Sequence, residues 1–150
     1  MITMQFQPPK GMRDLEPDEF AQYERVREKF KQIVSNYGFR LVEPTALEDL
    51  KTLTAKSGPG LEKEIYAFED KGGRKLGLRF DLTVGLARMV ASKNWPTPLK
   101  LACFSNMWRY DNPQYGRYRS FYQWDVEIYG CKGVEADAEI IAVICDILDA

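Results

Sequence analysis

Residues 99–130 read LKLACFSNMWRYDNPQYGRYRSFYQWDVEIYG. Two long segments of period two flank the turn-rich loop Asp111-Asn112-Pro113-Gln114-Tyr115-Gly116, which predicts a large antiparallel hairpin. On its returning arm Tyr118, Ser120, Tyr122, Trp124, Val126 and Ile128 share one face. Arg117, Arg119, Phe121, Gln123, Asp125 and Glu127 share the other. The first face is expected to be core and the second almost entirely polar.

Working outward, Phe20, Tyr23, Val26, Phe30, Ile33, Val34 and Tyr37 recur at spacings of three and four. This predicts an amphipathic helix from about Pro17 to Tyr37, with Pro17, Asp18 and Glu19 suited to its first turn and Gly38 to its stop. Phe39 to Val42 reads as a strand broken at Pro44. Thr52 to Gly60 reads as a loop. Ile65 to Asp70 and Lys75 to Phe80 read as two arms of a hairpin around Lys71-Gly72-Gly73-Arg74, with the first strand centred on Ile65 to Phe68. Asp81 or Thr83 is placed to cap a helix running to about Lys93. After Gly130 and Gly133, Glu135 to Ala150 carries Ile141, Ile144, Cys145 and Leu148 at helical spacing, with five acids and no base. Asp146 and Asp149 fall in its last turn with no basic or glycine cap, so the chain is expected to stop inside an element.

Composition bounds the chemistry. The chain has 150 residues, 45% of them apolar, enough to bury a single ordinary core. With 21 basic and 22 acidic residues, any anion site must be local. No apolar run approaches the roughly 20 residues that cross a bilayer, and residues 1–9 lack a signal-peptide pattern, so a soluble cytoplasmic chain is expected. There is no histidine, which excludes a Ser-His or Cys-His triad. Cys103, Cys131 and Cys145 are far apart, so no metal ligands are assigned, and Cys103 and Cys145 are expected to be inert core thiols. No glycine-rich phosphate loop of the P-loop or dinucleotide type is present.

Between Trp108 and Ser120, Arg109, Arg117 and Arg119 stand against the single acid Asp111. Planar guanidinium forks suit phosphate or carboxylate oxygens, although a solvated hairpin face with its own ion pairs would have the same composition. Phe121 lies on that polar face, where its ring suits a nucleobase better than water. Asp125 and Glu127 follow, so an arginine end grades into a carboxylate end. Such a surface fits a ligand with one anionic and one cationic part. Arg79, Asp81 and Thr83 repeat base, acid and hydroxyl at period two on the other hairpin.

The run Trp108 to Gln123 resembles motif 2 of the class II aminoacyl-tRNA synthetases, in the form found in histidyl-tRNA synthetases. Leu78-Arg79-Phe80-Asp81-Leu82-Thr83 resembles the histidine-binding segment of that family, and Pro9-Lys10-Gly11-Met12-Arg13-Asp14 its N-terminal signature. The helix from Pro17 and the strand ending at Pro44 are similar to motif 1. The resemblance spans roughly Pro9 to Asp137. Met12 stands where many members have Thr, and Asn112 where many have a basic residue.

The resemblance implies an α+β fold, an antiparallel sheet flanked by helices. In it, residues 1–150 form the N-terminal portion of a catalytic domain, incomplete at the C-terminus, with motif 1 at about 17–44 and motif 2 at about 99–130. Motif 3 and an anticodon-binding domain would lie beyond Ala150. It implies activation of histidine by ATP, with Mg2+ accompanying the nucleotide, followed by transfer to tRNA(His), in a homodimer built through motif 1. The fragment alone would be inactive or very weak. Carried over by position, Arg109 would be catalytic and contact the α-phosphate and substrate carboxylate. Asp111 would lie near the adenine edge, Arg117 would reach the γ-phosphate, and Phe121 would stack on adenine. Asp81, Thr83, Gln123 and Glu127 would hold histidine, together with Arg109. Arg79 and Arg119 could equally be structural ion-pair partners. Two alternatives share the fold: a histidine-binding regulatory subunit of ATP phosphoribosyltransferase, and a synthetase-like domain that senses tRNA.

Overall fold

A computed structural model describes residues 6–55 and 60–150. The predicted turn residues Gly58 and Pro59, and the first five residues, lie outside the described residues. Helix α1 spans Pro17–Asn36, with Pro17 in its first turn and Asp18 and Glu19 at its positive end. It stops at Gly38, whose φ of +76° only glycine adopts without strain. The stop is hydrogen-bonded: Gly38 N–H donates to Ser35 and Phe39 N–H to Val34, both at 2.9 Å.

The long hairpin forms as the period-two pattern requires. Strand β5, Leu99–Trp108, and strand β6, Ser120–Tyr129, are antiparallel and in unbroken register from Leu99 opposite Tyr129 to Trp108 opposite Ser120. On the other edge of β5, the two-residue strand β1, Arg40–Leu41, pairs in parallel. The expected antiparallel sheet therefore contains one parallel pair, because α1 returns the chain to the far side of β5 before β1 begins. A second sheet has β4, Lys75–Leu78, between β2, Leu47–Asp49, and β3, Ala67–Glu69, all antiparallel.

The loop expected from Thr52 is in part a short helix α2, Leu50–Thr54, preceded by the unanticipated strand β2. The strand expected from Ile65 begins at Ala67, after a 3-10 turn at Leu61–Glu64. Helix α3, Leu82–Ala91, ends two residues before Lys93. Helix α4, Val134–Asp149, turns a different stripe inward from the one expected: Val143 is fully buried with Ile140 and Ile147 beside it, while Ile141, Cys145 and Leu148 are exposed. Cys145 is therefore not a core thiol. Asp146 is satisfied at its unfavourable helix end by the Tyr37 hydroxyl, which donates to it at 2.7 Å.

Both faces of the large sheet carry core. On one side Phe30 and Val34 of α1, Phe39 and Val143 pack with Ala102, Phe104, Trp124, Val126 and Ile128. On the other, Leu82 and Leu86 of α3 pack with Leu99, Leu101, Cys103 and Met107, and Phe121 and Tyr129 join them. The face of β6 expected to be polar is thus half-buried along its length, with Phe121 and Tyr129 packed into this core. The cover comes from α3, which reaches the sheet from the other hairpin. Burial of this order, at about 25 cal/mol per Å2 of apolar surface, is the main term holding α3 to the sheet.

Candidate functional site

Helix α3 sets one wall of the site. Asp81 caps it, its Oδ1 accepting from Thr83 N–H at 2.7 Å. The preceding segment is pinned on three sides by Arg79, which is almost fully buried. Its guanidinium donates to Glu43 Oε1 and to the Pro44 carbonyl, each at 2.6 Å, and to the Asn106 carbonyl at 2.8 Å. Its own backbone carbonyl accepts from Trp108 N–H at 3.1 Å. Arg79 is therefore a structural ion-pair partner. A buried carboxylate, Glu48, accepts from Arg88 at 2.9 Å and ties α3 to β2.

Arg109 follows β5 directly. Its Nε donates to the Phe80 carbonyl at 3.0 Å, and its guanidinium carbon lies 5.2 Å from the centre of the Phe121 ring. Arg109, Asp111, Arg117 and Phe121 line one open cleft of about 320 Å3, closed on the α1 side by Tyr23 and Tyr118. Within it Arg117 donates to Asp111 Oδ2 from Nη2 at 2.7 Å and from Nε at 3.1 Å. Arg119 does not share this cleft: it donates to the carbonyls of Asp111 and Lys10 at 2.8 and 3.3 Å and stacks on Tyr110. It straps the N-terminal segment to the hairpin loop.

The carboxylates gather further along β6. Thr83 Oγ1 donates to Asp125 Oδ2 at 3.3 Å, which brings the start of α3 onto the strand face carrying Gln123, Asp125 and Glu127. Burial, reinforced by Glu127 and Asp81, pushes the Asp125 carboxyl up to about 6. Burial also raises Glu127 and, beyond it, the Tyr129 hydroxyl. Beneath them, burial pushes the Cys103 thiol up to about 12, so it is inert. Among the described residues, none of Asp81, Asp125 and Glu127 has a Lys or Arg ion-pair partner. Such a cluster favours a cationic group.

All eight residues singled out from sequence lie along this one surface, Arg109, Asp111, Arg117 and Phe121 at one end and Asp81, Thr83, Gln123 and Glu127 at the other. At about 3.3 Å per residue, Phe121 and Glu127 are ~20 Å apart. The sequence places Asp125 with Glu127 at the carboxylate end of this strand face but gives it no ligand contact of its own. No three Asp, Glu or Cys side chains among the described residues converge as a metal cage.

The sequence profile of the histidyl-tRNA synthetases matches residues 11–150. The chain belongs to the histidyl-tRNA synthetase family. It is 42% identical over 144 residues to a histidine-tRNA ligase of Pyrobaculum islandicum, an alignment covering 95% of this chain and 34% of the relative. With a histidine-tRNA ligase of Archaeoglobus fulgidus it shares 40% over 147 residues, 97% of this chain and 36% of the relative. The fold superposes with a TM-score of 0.85 and 32% identity on a Bacillus halodurans protein described as an ATP phosphoribosyltransferase regulatory subunit/histidyl-tRNA synthetase, covering 96% of this chain and 38% of that one. The chain thus spans about a third of the length of these family members. Its α+β architecture is that of the class II synthetases. None of its described helices is long and apolar enough to cross a membrane.

Proposed function

We propose that this chain forms the ATP- and histidine-binding part of a histidine-tRNA ligase catalytic domain, with motif 1 at about 17–44 and motif 2 at about 99–130. The observation that carries this is the single surface on which Arg109, Arg117 and Phe121 lead along one strand face to Gln123, Asp125 and Glu127, with Asp81 and Thr83 beside them. An anionic, aromatic ligand end and a cationic one fit it in that order.

In the proposed reaction the histidine carboxylate, ionised at neutral pH, attacks the α-phosphorus of ATP. The bond from carboxylate oxygen to phosphorus forms, the bridge to the β-phosphate breaks, and pyrophosphate leaves with the electron pair. No proton has to move and no side chain acts as nucleophile, in keeping with a chain that has no histidine. Arg109 offsets the charge growing on the phosphoryl oxygens, held in place by the Phe80 carbonyl rather than reorganising during the step. Arg117 leaves Asp111 for the γ-phosphate, and Asp111 then turns to the adenine edge. Phe121 supplies the ring on which adenine stacks. Asp81, Thr83, Gln123 and Glu127 hold histidine, chiefly its ammonium group. Mg2+ would enter as the nucleotide's own ion; among the described residues no three carboxylates converge to hold it by themselves.

The product is transferred to tRNA(His) in the cytoplasm. The active form is a homodimer, supported by the exposed Phe20 and Val26 on α1 and by an apolar groove that Val26 shares with Phe104, Tyr122 and Trp124. The Bacillus halodurans relative, whose description also names a regulatory subunit, supports a second reading, in which the same pocket binds histidine only to control ATP phosphoribosyltransferase. ATP-pyrophosphate exchange by the full-length protein, run against a panel of amino acids, separates the two. Exchange driven by histidine alone supports the ligase. Histidine binding without exchange supports the regulator, and neither sinks both.

A further inference from the structure

Asp125 lies opposite Cys103 on the α3-facing side of the sheet, half-buried, with Gln123 and Glu127 two residues away on the same face. The exposed Thr83 sits above it. The backbone of Thr83 is fixed by its N–H bond to Asp81, and its side-chain hydroxyl donates to Asp125. A hydroxyl has one proton and two lone pairs. With the proton committed inward to Asp125, the outward side of the Thr83 oxygen is left as an acceptor only. An acceptor at that point, flanked by the Asp81 and Glu127 carboxylates, suits a donor that carries positive charge and several protons, which is a primary ammonium. Without Asp125 the hydroxyl turns to Glu127, which already lies within its hydrogen-bonding reach. Its proton would then face the cavity and repel the ammonium.

We propose that Asp125 is a positioning residue of the amino-acid pocket: by accepting the Thr83 hydroxyl proton, it fixes the Thr83 oxygen as an acceptor for the substrate's ammonium group. This rests on the proposed function, since it takes the carboxylate end as the amino-acid end. Asp125 acts through Thr83 and does not itself touch the substrate.

The test uses the full-length protein with Thr83→Val, Asp125→Ala, the double variant and Asp125→Asn. Histidine-dependent pyrophosphate exchange gives KM for histidine and for ATP, and competition gives the affinity of 3-(imidazol-4-yl)propionate, which is histidine without its ammonium. Thr83→Val and Asp125→Ala each raise the histidine KM about tenfold, as expected for one hydrogen bond to a charged group, and leave the ATP KM within about twofold. The double variant is no worse than the worse single, because both remove the same contact. Asp125→Asn, which keeps an acceptor oxygen, rescues histidine affinity, and the analogue without an ammonium binds all variants equally. The proposal is overturned if the two single effects multiply, if Asn fails to rescue, or if the analogue weakens in step with histidine. A wild-type protein that neither binds nor activates histidine overturns the proposed function as well, and that result appears before any variant is compared.

Discussion

Arg117 and Asp111 are paired across the loop of the long hairpin, with two guanidinium nitrogens within 3.1 Å of one carboxylate oxygen. The arginine end of the cleft is therefore partly neutralised until an anion competes for Arg117. The Arg117 side chain is more than half exposed, so the pair adds little stability, roughly 0–1 kcal/mol. Arg117→Ala is expected to raise the KM for ATP at least several-fold, to leave the KM for histidine nearly unchanged, and to shift the unfolding midpoint very little. Pyrophosphate exchange at varied ATP and a urea melt check both halves.

The opposite balance holds at Arg79. It is 5% exposed, and Arg79→Leu would strand the Pro44 and Asn106 carbonyls without its donors, while Glu43 keeps access to water. A loss of about 2–4 kcal/mol is expected, from buried acceptors left unpaired rather than from the ion pair itself. Urea denaturation measures it; a change under about 0.5 kcal/mol would contradict the structural role.

Asp125 sets a pH dependence with a definite sign. Its folded pKa of about 6 lies above the ordinary 3.8, so the folded chain holds a proton that the unfolded chain has released between those values. Stability from this group is present at low pH and is lost as pH rises through that window. Asp125→Asn removes the penalty. It is expected to stabilise the fold by about 1–2 kcal/mol at pH 7, after allowance for partial exposure, with the gain vanishing near pH 4. Thermal melts of both proteins across that range test the sign.

Gly130 ends β6 with a φ of +78°, and a Cβ there would come within 2.5 Å of Thr97 Cβ. Gly130→Ala is expected to destabilise by about 1–3 kcal/mol, combining left-handed strain with a clash. A denaturation midpoint matching wild type would show that the Thr97 loop yields freely.

The parts legible in sequence are those with one unambiguous period or one strong local signal. Strands 99–108 and 120–129 alternate throughout, Pro17 and Gly38 bracket α1, and Asp81 precedes α3 as its cap. Helix α4 was legible as a helix but not in its orientation. Its apolar residues come in doublets, Ile140-Ile141, Val143-Ile144 and Ile147-Leu148, so two neighbouring stripes are equally apolar and only packing on α1 and β6 chooses between them. Strand β2 is three residues long and owes its form to pairing with β4, which no local pattern announces. At the site, the arginine-to-carboxylate gradient could be read from strand alternation. The pairing of Thr83 with Asp125 could not, because it joins residues 42 apart through the docking of α3. The role of Arg79 stays open in the sequence for the same reason: its burial is imposed by Glu43, Pro44 and Asn106, all distant in sequence.

The role proposed for Arg109 is to offset charge on the α-phosphate oxygens as the adenylyl group passes from ATP to the histidine carboxylate. Its most direct test is the rate of histidine-dependent ATP-pyrophosphate exchange by full-length wild-type and Arg109→Ala proteins, at saturating histidine and ATP. A fall of about a hundredfold or more in kcat is expected, the loss for one preorganised charge-stabilising donor, with the fold intact by circular dichroism. Exchange at near wild-type rate in the variant would contradict that role of Arg109.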